Sequence, residues 1–402
     1  MSEFLNQECK VLLQIIAKDL FGFNGEIDLS SVELGKLYKE AKDQTVIAMA
    51  FNSLPQSAAN LDLQIYNKWQ GTAISIMQQT LKNNLANVTL TKLLDDNGVE
   101  HSTIKGYTSA CYYKNPTHRQ MGDIDFLVRK EDVQKTTELL VANGYDRFED
   151  DHDLHIGFKK NGIIYELHTA VTSVPEGKEY ILDSLNDVMD KAGYVESSCG
   201  KIKVPTALHH GIIMLMHMQR HMIISSGIGI RHLADWAVFV NSFENDEWVK
   251  IFKNELKKIG LWKFARVISK SAEIFLKMPS KPWFRDADEK LATDLAKEIF
   301  TSGNFGRKNE TNAQEQGFFK HDEQGKGKMA RLFGGITRKV YGWAPFYEKY
   351  KILLPIGYIA YFVRIAFQMI FKNKKLNFFK IYKKGNEQYD TYTRLEFFKE
   401  EN

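Results

Sequence analysis

Residues 122–128 read Gly-Asp-Ile-Asp-Phe-Leu-Val. Side chains alternate along a strand, so Asp123 and Asp125 emerge on one face while Ile124, Phe126 and Val128 enter a core. Two carboxylates this close raise each other's pKa unless a cation lies between them. The segment therefore demands a sheet with one buried face and a countercharge on the other. Mg²⁺ is the natural countercharge, with Mn²⁺ as its substitute. Such an ion takes carboxylate oxygens, keeps some waters, and completes its shell with substrate phosphates.

A second segment, Ile163–Val171 (IIYELHTAV), has the same design. Glu166 and His168 share one face, Tyr165 and Leu167 the other. If the two strands pair, Glu166 completes an acidic triad. Three carboxylates can hold two metals roughly 3.5–4 Å apart. His168 would then hydrogen-bond a substrate or orient a carboxylate. The plainer alternative is an exposed strand face that carries acids. Gly122 before the pair, Arg119 nearby and the second acid-bearing strand weigh against it.

Around these strands the chain is helical. Residues 1–98 carry apolar positions at helical spacing, with Ser30 or Ser31 as an N-cap and a long amphipathic stretch from Leu61 to about Leu94. Residues 99–198 read as strand, helix, strand, helix, strand, strand. Gly144 ends the second helix, and Asn161-Gly162 is a type I′ hairpin turn. Residues 199–305 return to helices, entered through Pro205. Residues 306–345 read as loop or linker, and 346–402 as an amphipathic, basic C-terminal region. The expected fold class is α+β: a small mixed sheet between helical N-terminal and C-terminal domains.

With 402 residues, two or three domains are expected. The formal net charge of +4 is mild for a nucleic-acid binder and disfavours that partner. Three cysteines without CxxC spacing exclude a disulfide framework and fit a reducing compartment. The acidic, polar N-terminus lacks the pattern of a secretory signal. The apolar stretch 352–371 has the length of a membrane span, but Pro355, Gly357 and Arg364 interrupt it, and Lys372, Lys374, Lys375, Lys380, Lys383 and Lys384 follow. It reads as a helix packed on the protein or lying on an anionic membrane surface. A cytoplasmic protein with peripheral contact at the inner face of the membrane is expected.

Several smaller features have plainer readings. His152 and His155 fall three apart on a strand, on opposite faces, and do not share a metal. His217 and His221 lie one helical turn apart, but the sequence offers neither the Glu of HExxH nor an evident third ligand, which argues against zinc. Arg231 and Asp235, at i and i+4, read as an intrahelical ion pair. The glycines of "SGNFGRKN" (302–309) read as a cap and turn.

The pattern IKGYTSACYY, Arg119, GDIDFLV, LLVANGY, a histidine and YELH resembles the uncharacterised nucleotidyltransferase family of the DNA polymerase β-like superfamily. That family is often associated with bacterial cell-surface polysaccharide gene clusters. The likeness spans about residues 100–240. It implies a minimal nucleotidyltransferase sheet, with Asp123, Asp125 and Glu166 as metal ligands. It also implies a short helix, opening at Gly106, whose backbone N–H groups cradle the phosphates of a nucleoside triphosphate. The superfamily commonly has Gly-Ser there and this chain has Gly106-Tyr107, so Thr108 or Ser109 would supply the hydroxyl. Lys105 and Arg119 are the nearest cations for the triphosphate. Helices bearing histidine and an Arg…Asp pair follow the sheet in family members. The helical domain would close the cleft, with Asp235 or His217 as general base. The implied activity is Mg²⁺-dependent transfer of a nucleoside monophosphate to a hydroxyl or phosphate of a small-molecule acceptor. The rivals are a toxin-type enzyme acting on tRNA or protein, and a non-catalytic membrane-associated scaffold.

Overall fold

The computed structural model describes residues 4–148, 155–171, 174, 177–223, 227–308, 328–371 and 378–401. Four helices come first: α1 (Gln7–Phe21), α2 (Leu34–Asp43), α3 (Ile47–Asn52) and α4 (Leu63–Asp96). Local chemistry sets their ends. The Asn6 side chain accepts the Cys9 N–H at 2.9 Å, and Gly22 closes α1 in the left-handed region at φ 68°. Asp62 caps α4 by accepting the Ile65 N–H at 3.0 Å. Ser30 and Ser31 fall short of α2, whose N-cap is Glu33.

The strands follow: β1 (His101–Thr103), β2 (Asp123–Val128), β3 (Asp146–Phe148), β4 (His155–Lys160) and β5 (Ile163–His168). The short helix α5 (Tyr107–Ala110) lies between β1 and β2, and α6 (Val133–Ala142) between β2 and β3. The sheet order is β1-β2-β5-β4-β3; β2 and β5 run parallel and every other pairing is antiparallel. Asn161 (φ 52°) and Gly162 (φ 80°) both take positive φ between β4 and β5, as the type I′ turn requires. A second hairpin, β6 (Gly193–Ser197) and β7 (Gly200–Val204), packs beside β1 and α4. The boundary expected at residue 198 falls inside its turn.

The apolar face of the sheet (Ile124, Phe126, Val128, Phe158, Tyr165, Leu167) packs on Leu140 of α6 and on Leu90 and Leu94 of α4. Each such fully buried side chain is worth roughly 1.5–3 kcal/mol. The other end of α4 places Trp69 and Ala73 in a separate, larger core. That core also holds α1–α3 and the helices α7 (Ala207–Ile223), α8 (Ile230–Asn241), α9 (Asn245–Lys258), α10 (Trp262–Leu276) and α11 (Glu289–Ser302). One helix thus ties the sheet to the helical body.

Beyond residue 327 come α12 (Lys328–Trp343), α13 (Phe346–Lys349), α14 (Leu354–Phe371) and α15 (Phe378–Leu395). The linker expected over 306–345 therefore contains a helix. Its Ile336 and Val340 recur four apart and pack against Leu354, Tyr358 and Tyr361. Residues 309–327 of that linker lie outside the described residues, as do His152, Lys372, Lys374 and Lys375. Leu395, Phe397 and Phe398 return to the main core. Among the described residues no helix is long and apolar enough to cross a membrane.

Candidate active site

The parallel register sets Asp125 beside Glu166 and Asp123 beside Ile164. The alternation of both strands puts the three acids on one face, and their carboxylate oxygens lie within 4.8 Å of one another. Asp125 is buried, Glu166 partly buried and Asp123 exposed to the cleft. Hard oxygen donors at this spacing, one open to solvent, fit Mg²⁺ or Mn²⁺.

The site carries its own countercharge. Lys105 Nζ donates to Asp125 Oδ1 at 2.6 Å. The Nε2 of His168 lies 2.9 Å from the same oxygen and 3.4 Å from Glu166 Oε2. Burial opposes the charge on Asp125, yet Lys105 and His168 overcome it and hold the carboxyl well below its ordinary range. Burial likewise opposes the charge on His168, but its bonds to Asp125 and Glu166 raise its pKa. Lys105 is raised too, desolvation being outweighed by Asp125. Asp123 goes the other way: loss of hydration, then repulsion from Asp125 and Glu166, lifts its pKa. A divalent ion would relieve that repulsion.

His155 was not expected here. It pairs with His168 across the β4–β5 hairpin, and its Nε2 lies 3.8 Å from Glu166. His155, Glu166 and His168 form a second potential metal set sharing Glu166. Two imidazoles and a carboxylate suit a softer ion such as Zn²⁺.

Asp123 and Asp125 open onto a cleft of about 260 Å³, walled by β1–β2, α7, the start of α8 and the turn after α11. Lys105, Gly106, Ser109, Arg119, Gly122, His217 and Asp235 all line it. Gly106 has φ 63° and ψ −106°, a conformation that a side chain would strain. The Ser109 hydroxyl lies 3.4 Å from His210 Nε2. Thr108 does not line the cleft, and its hydroxyl is spent on the Thr103 carbonyl at 2.6 Å. The approach to Asp123 is braced from behind by α4: Thr80 donates to the Arg119 carbonyl at 3.5 Å and Asn83 to the Met121 carbonyl at 3.3 Å.

Two expectations change. Asp235 does not pair with Arg231. Arg119 takes it in a bidentate grip, Nε to Oδ1 at 2.9 Å and Nη2 to Oδ2 at 2.8 Å, and the Tyr113 hydroxyl donates to Oδ1 at 2.7 Å. Arg119 therefore clamps α8 to the segment before β2 and is not free for a triphosphate. Burial opposes the Asp235 charge, but Arg119 lowers its pKa. A carboxylate so held is a poor proton acceptor, so Asp235 loses its place as general base. Burial keeps His217 neutral by lowering its pKa, which makes it a weak base as well. His221 and His232 stand near it, with ring centroids 4.3 and 5.9 Å away. The sequence spacing of His217 and His221 gave no sign of His232.

The strand pair thus presents three carboxylates beneath a helical wall. The chain belongs to the uncharacterised nucleotidyltransferase family, whose model matches residues 30–277, more than half of its length. No curated protein matches it. Among solved structures it is similar to an antigenic nucleotidyltransferase-like protein from Paracoccidioides brasiliensis, at 14% identity and a TM-score of 0.32. That likeness covers 49% of this chain and 92% of the other.

Proposed function

We propose that the chain is a Mg²⁺-dependent nucleotidyltransferase, with Mn²⁺ able to substitute. It transfers a nucleoside monophosphate from a nucleoside triphosphate to a hydroxyl or phosphate of a small-molecule acceptor. The observation that carries this reading is the convergence of Asp123, Asp125 and Glu166 within 4.8 Å, the two aspartates lining a cleft. A non-catalytic scaffold would not need to keep three acids that close.

In this reading Asp123, Asp125 and Glu166 hold the metal, which when bound neutralises charge on the phosphates. An acceptor oxygen attacks the α-phosphorus and pyrophosphate leaves. Lys105, which borders Asp125 and lines the cleft, would present its charge to the triphosphate. His168 holds a proton at Nε2 and fixes the two carboxylates that flank it. Gly106 and Ser109 contact the phosphates, and Gly122 leaves the approach to Asp123 open. His217, neutral and in the cleft wall, hydrogen-bonds the acceptor, and the acceptor's proton passes to solvent or to the departing pyrophosphate. Catalysis rests mainly on positioning and charge neutralisation.

The family's association with polysaccharide gene clusters supports an acceptor from cell-surface polysaccharide synthesis, handled at the cytoplasmic face of the membrane. A stripe on and before α14 favours peripheral membrane contact: Ile352, Ile356, Ile359, Val363 and Phe367 are all more than half exposed. Binding to anionic vesicles that is lost in Ile356→Asp/Ile359→Asp would bear this out; equal binding by both proteins would refute it.

Calorimetric titration of ATP, CTP, GTP and UTP, with and without Mg²⁺, tests the main reading. Metal-dependent binding of one nucleotide, lost in Asp123→Asn/Asp125→Asn, is expected. No binding of any nucleotide would overturn it.

A further inference from the structure

The acid-bearing strands do not account for the whole cleft. Another part of its wall comes from the first turn of α8 and the turn after α11, and it holds cations that the fold leaves unanswered. Arg231 donates from Nη1 to the Gln120 carbonyl at 3.4 Å, and its guanidinium sits 5.7 Å from the centroid of Phe305. Its Nε–H is buried without an acceptor. Among the described residues no carboxylate pairs with it, because both oxygens of Asp235 are taken by Arg119 and Tyr113. Burial, then Arg119, push its pKa down to about 10.

The next residue repeats the pattern. His232 Nδ1 accepts the Gly229 N–H at 3.3 Å, which places the ring proton on Nε2. That Nε2 is buried and has no partner, in a side chain only 5% exposed. Arg307, at the rim, touches the Thr45 hydroxyl at 3.3 Å and pairs with no carboxylate among the described residues. Buried donors are ordinarily satisfied, and buried cations ordinarily paired. Two adjacent exceptions lining one cleft call for an anion from outside.

We propose that Arg231 and His232, with Arg307 at the rim, form a phosphate subsite that takes a phosphomonoester group carried by the acceptor. This rests on the reading of the carboxylates as the metal-nucleotide site. A phosphate oxygen accepts from Arg231 Nε–H and another from His232 Nε2–H. The acceptor is thus a phosphorylated small molecule, held by its phosphate while another of its oxygens reacts.

Inorganic phosphate is the probe. It is titrated calorimetrically into the full chain, alone and after saturation with Mg²⁺ and a non-hydrolysable triphosphate. The proteins are wild type, Arg231→Gln, Arg231→Lys, His232→Gln and Asp123→Asn/Asp125→Asn. Phosphate is expected to bind the Asp123/Asp125 variant at least as tightly as the wild type, since the variant removes negative charge from the cleft, and to bind with nucleotide already present. Arg231→Gln should weaken it by about ten-fold or more, with a smaller loss in Arg231→Lys, which keeps the charge without the fork. Unchanged phosphate affinity in both Arg231→Gln and His232→Gln overturns the subsite. Mutual exclusion of phosphate and nucleotide overturns the acceptor assignment and makes this wall the seat of the triphosphate. The thermal midpoint gives a readout of folding. Arg231→Gln removes an unpaired buried charge, so its midpoint should match or exceed the wild type's, and a marked drop assigns Arg231 a structural role and overturns the proposal. If nucleotide fails to bind while phosphate binding still depends on Arg231, the nucleotidyl-transfer reading falls and the subsite stands.

Discussion

Replacing Asp235 with asparagine tests the clamp that joins the helical wall to the sheet. Asp235 and Arg119 are 6% and 7% exposed, and all three hydrogen bonds to the carboxylate come from Arg119 and Tyr113. Asparagine keeps the shape but removes the charge, and it turns an amide N–H toward one of these donors. Arg119 stays buried, now without its counterion. Removing one partner of a buried pair costs about 3–5 kcal/mol. The upper end is expected, because Arg231 also loses the favourable field of Asp235. The assay is urea denaturation followed by tryptophan fluorescence, Trp236 being in the same helix. The penalty should be flat from pH 5 to 8: a carboxyl whose folded pKa is depressed below 3.8 contributes fully above that value and loses its contribution only as pH falls through the depressed one. Arg119→Met/Asp235→Leu should recover most of the loss, since apolar replacements of a buried pair are often neutral. It should also retain measurable transfer, which a catalytic base would not allow. A single-variant penalty under about 1 kcal/mol, or a double-variant penalty equal to the sum of the singles, would refute the clamp.

Lys105→Met should raise the affinity of the nucleotide-free protein for Mg²⁺ by about ten-fold, or ~1.4 kcal/mol, because it removes the cation that competes for Asp125; a fall in calorimetric affinity would contradict this. Gly106→Ala should cost about 1–3 kcal/mol in urea, all of it from backbone strain, since the added Cβ meets only ordinary contacts at 3.6 Å. In the presence of EDTA, His168→Gln should be less stable than wild type below pH 6.5. The gap should close as pH rises through the raised pKa of His168, since a group with a raised pKa contributes only while protonated. A gap that widens with pH would show that His168 acts as a neutral hydrogen-bond donor.

The carboxylate corner was legible because strand alternation is a local rule. Period two put Asp123 with Asp125 and Glu166 with His168, and only the pairing of β2 with β5 had to be assumed. His155 was legible too. With Asn161-Gly162 as the two turn residues, pairing proceeds outward from Lys160 and Ile163, and arrives at His155 opposite His168. The β6–β7 hairpin also left a trace, in the alternation of Lys201, Ile202, Lys203 and Val204. Arg119 and Asp235 left none. They are 116 residues apart, and the nearer Arg231 offered a false partner at helical spacing. Nor did the polar stripe on α4 announce its role. Asn83 and Thr80 look like solvent positions on an amphipathic helix, yet both are buried and hold the backbone before β2.

What escaped the sequence is mostly the placement of positive charge, and there the structure separates two kinds of cation. Lys105 and His168 are already answered by Asp125, while the Nε–H of Arg231 and the Nε2–H of His232 find no acceptor among the described residues. On the proposed reading each kind meets a different visitor. A divalent ion would be held by the carboxylates, leaving the charge of Lys105 to the triphosphate. An anionic acceptor group supplies what Arg231 and His232 lack. The two charges then favour each other's binding, because the metal lowers the negative field of Asp123 that would otherwise repel an incoming phosphate. Phosphate should therefore bind more tightly, and by a measurable factor, when Mg²⁺ is present than in EDTA, and by linkage Mg²⁺ should gain the same factor from phosphate.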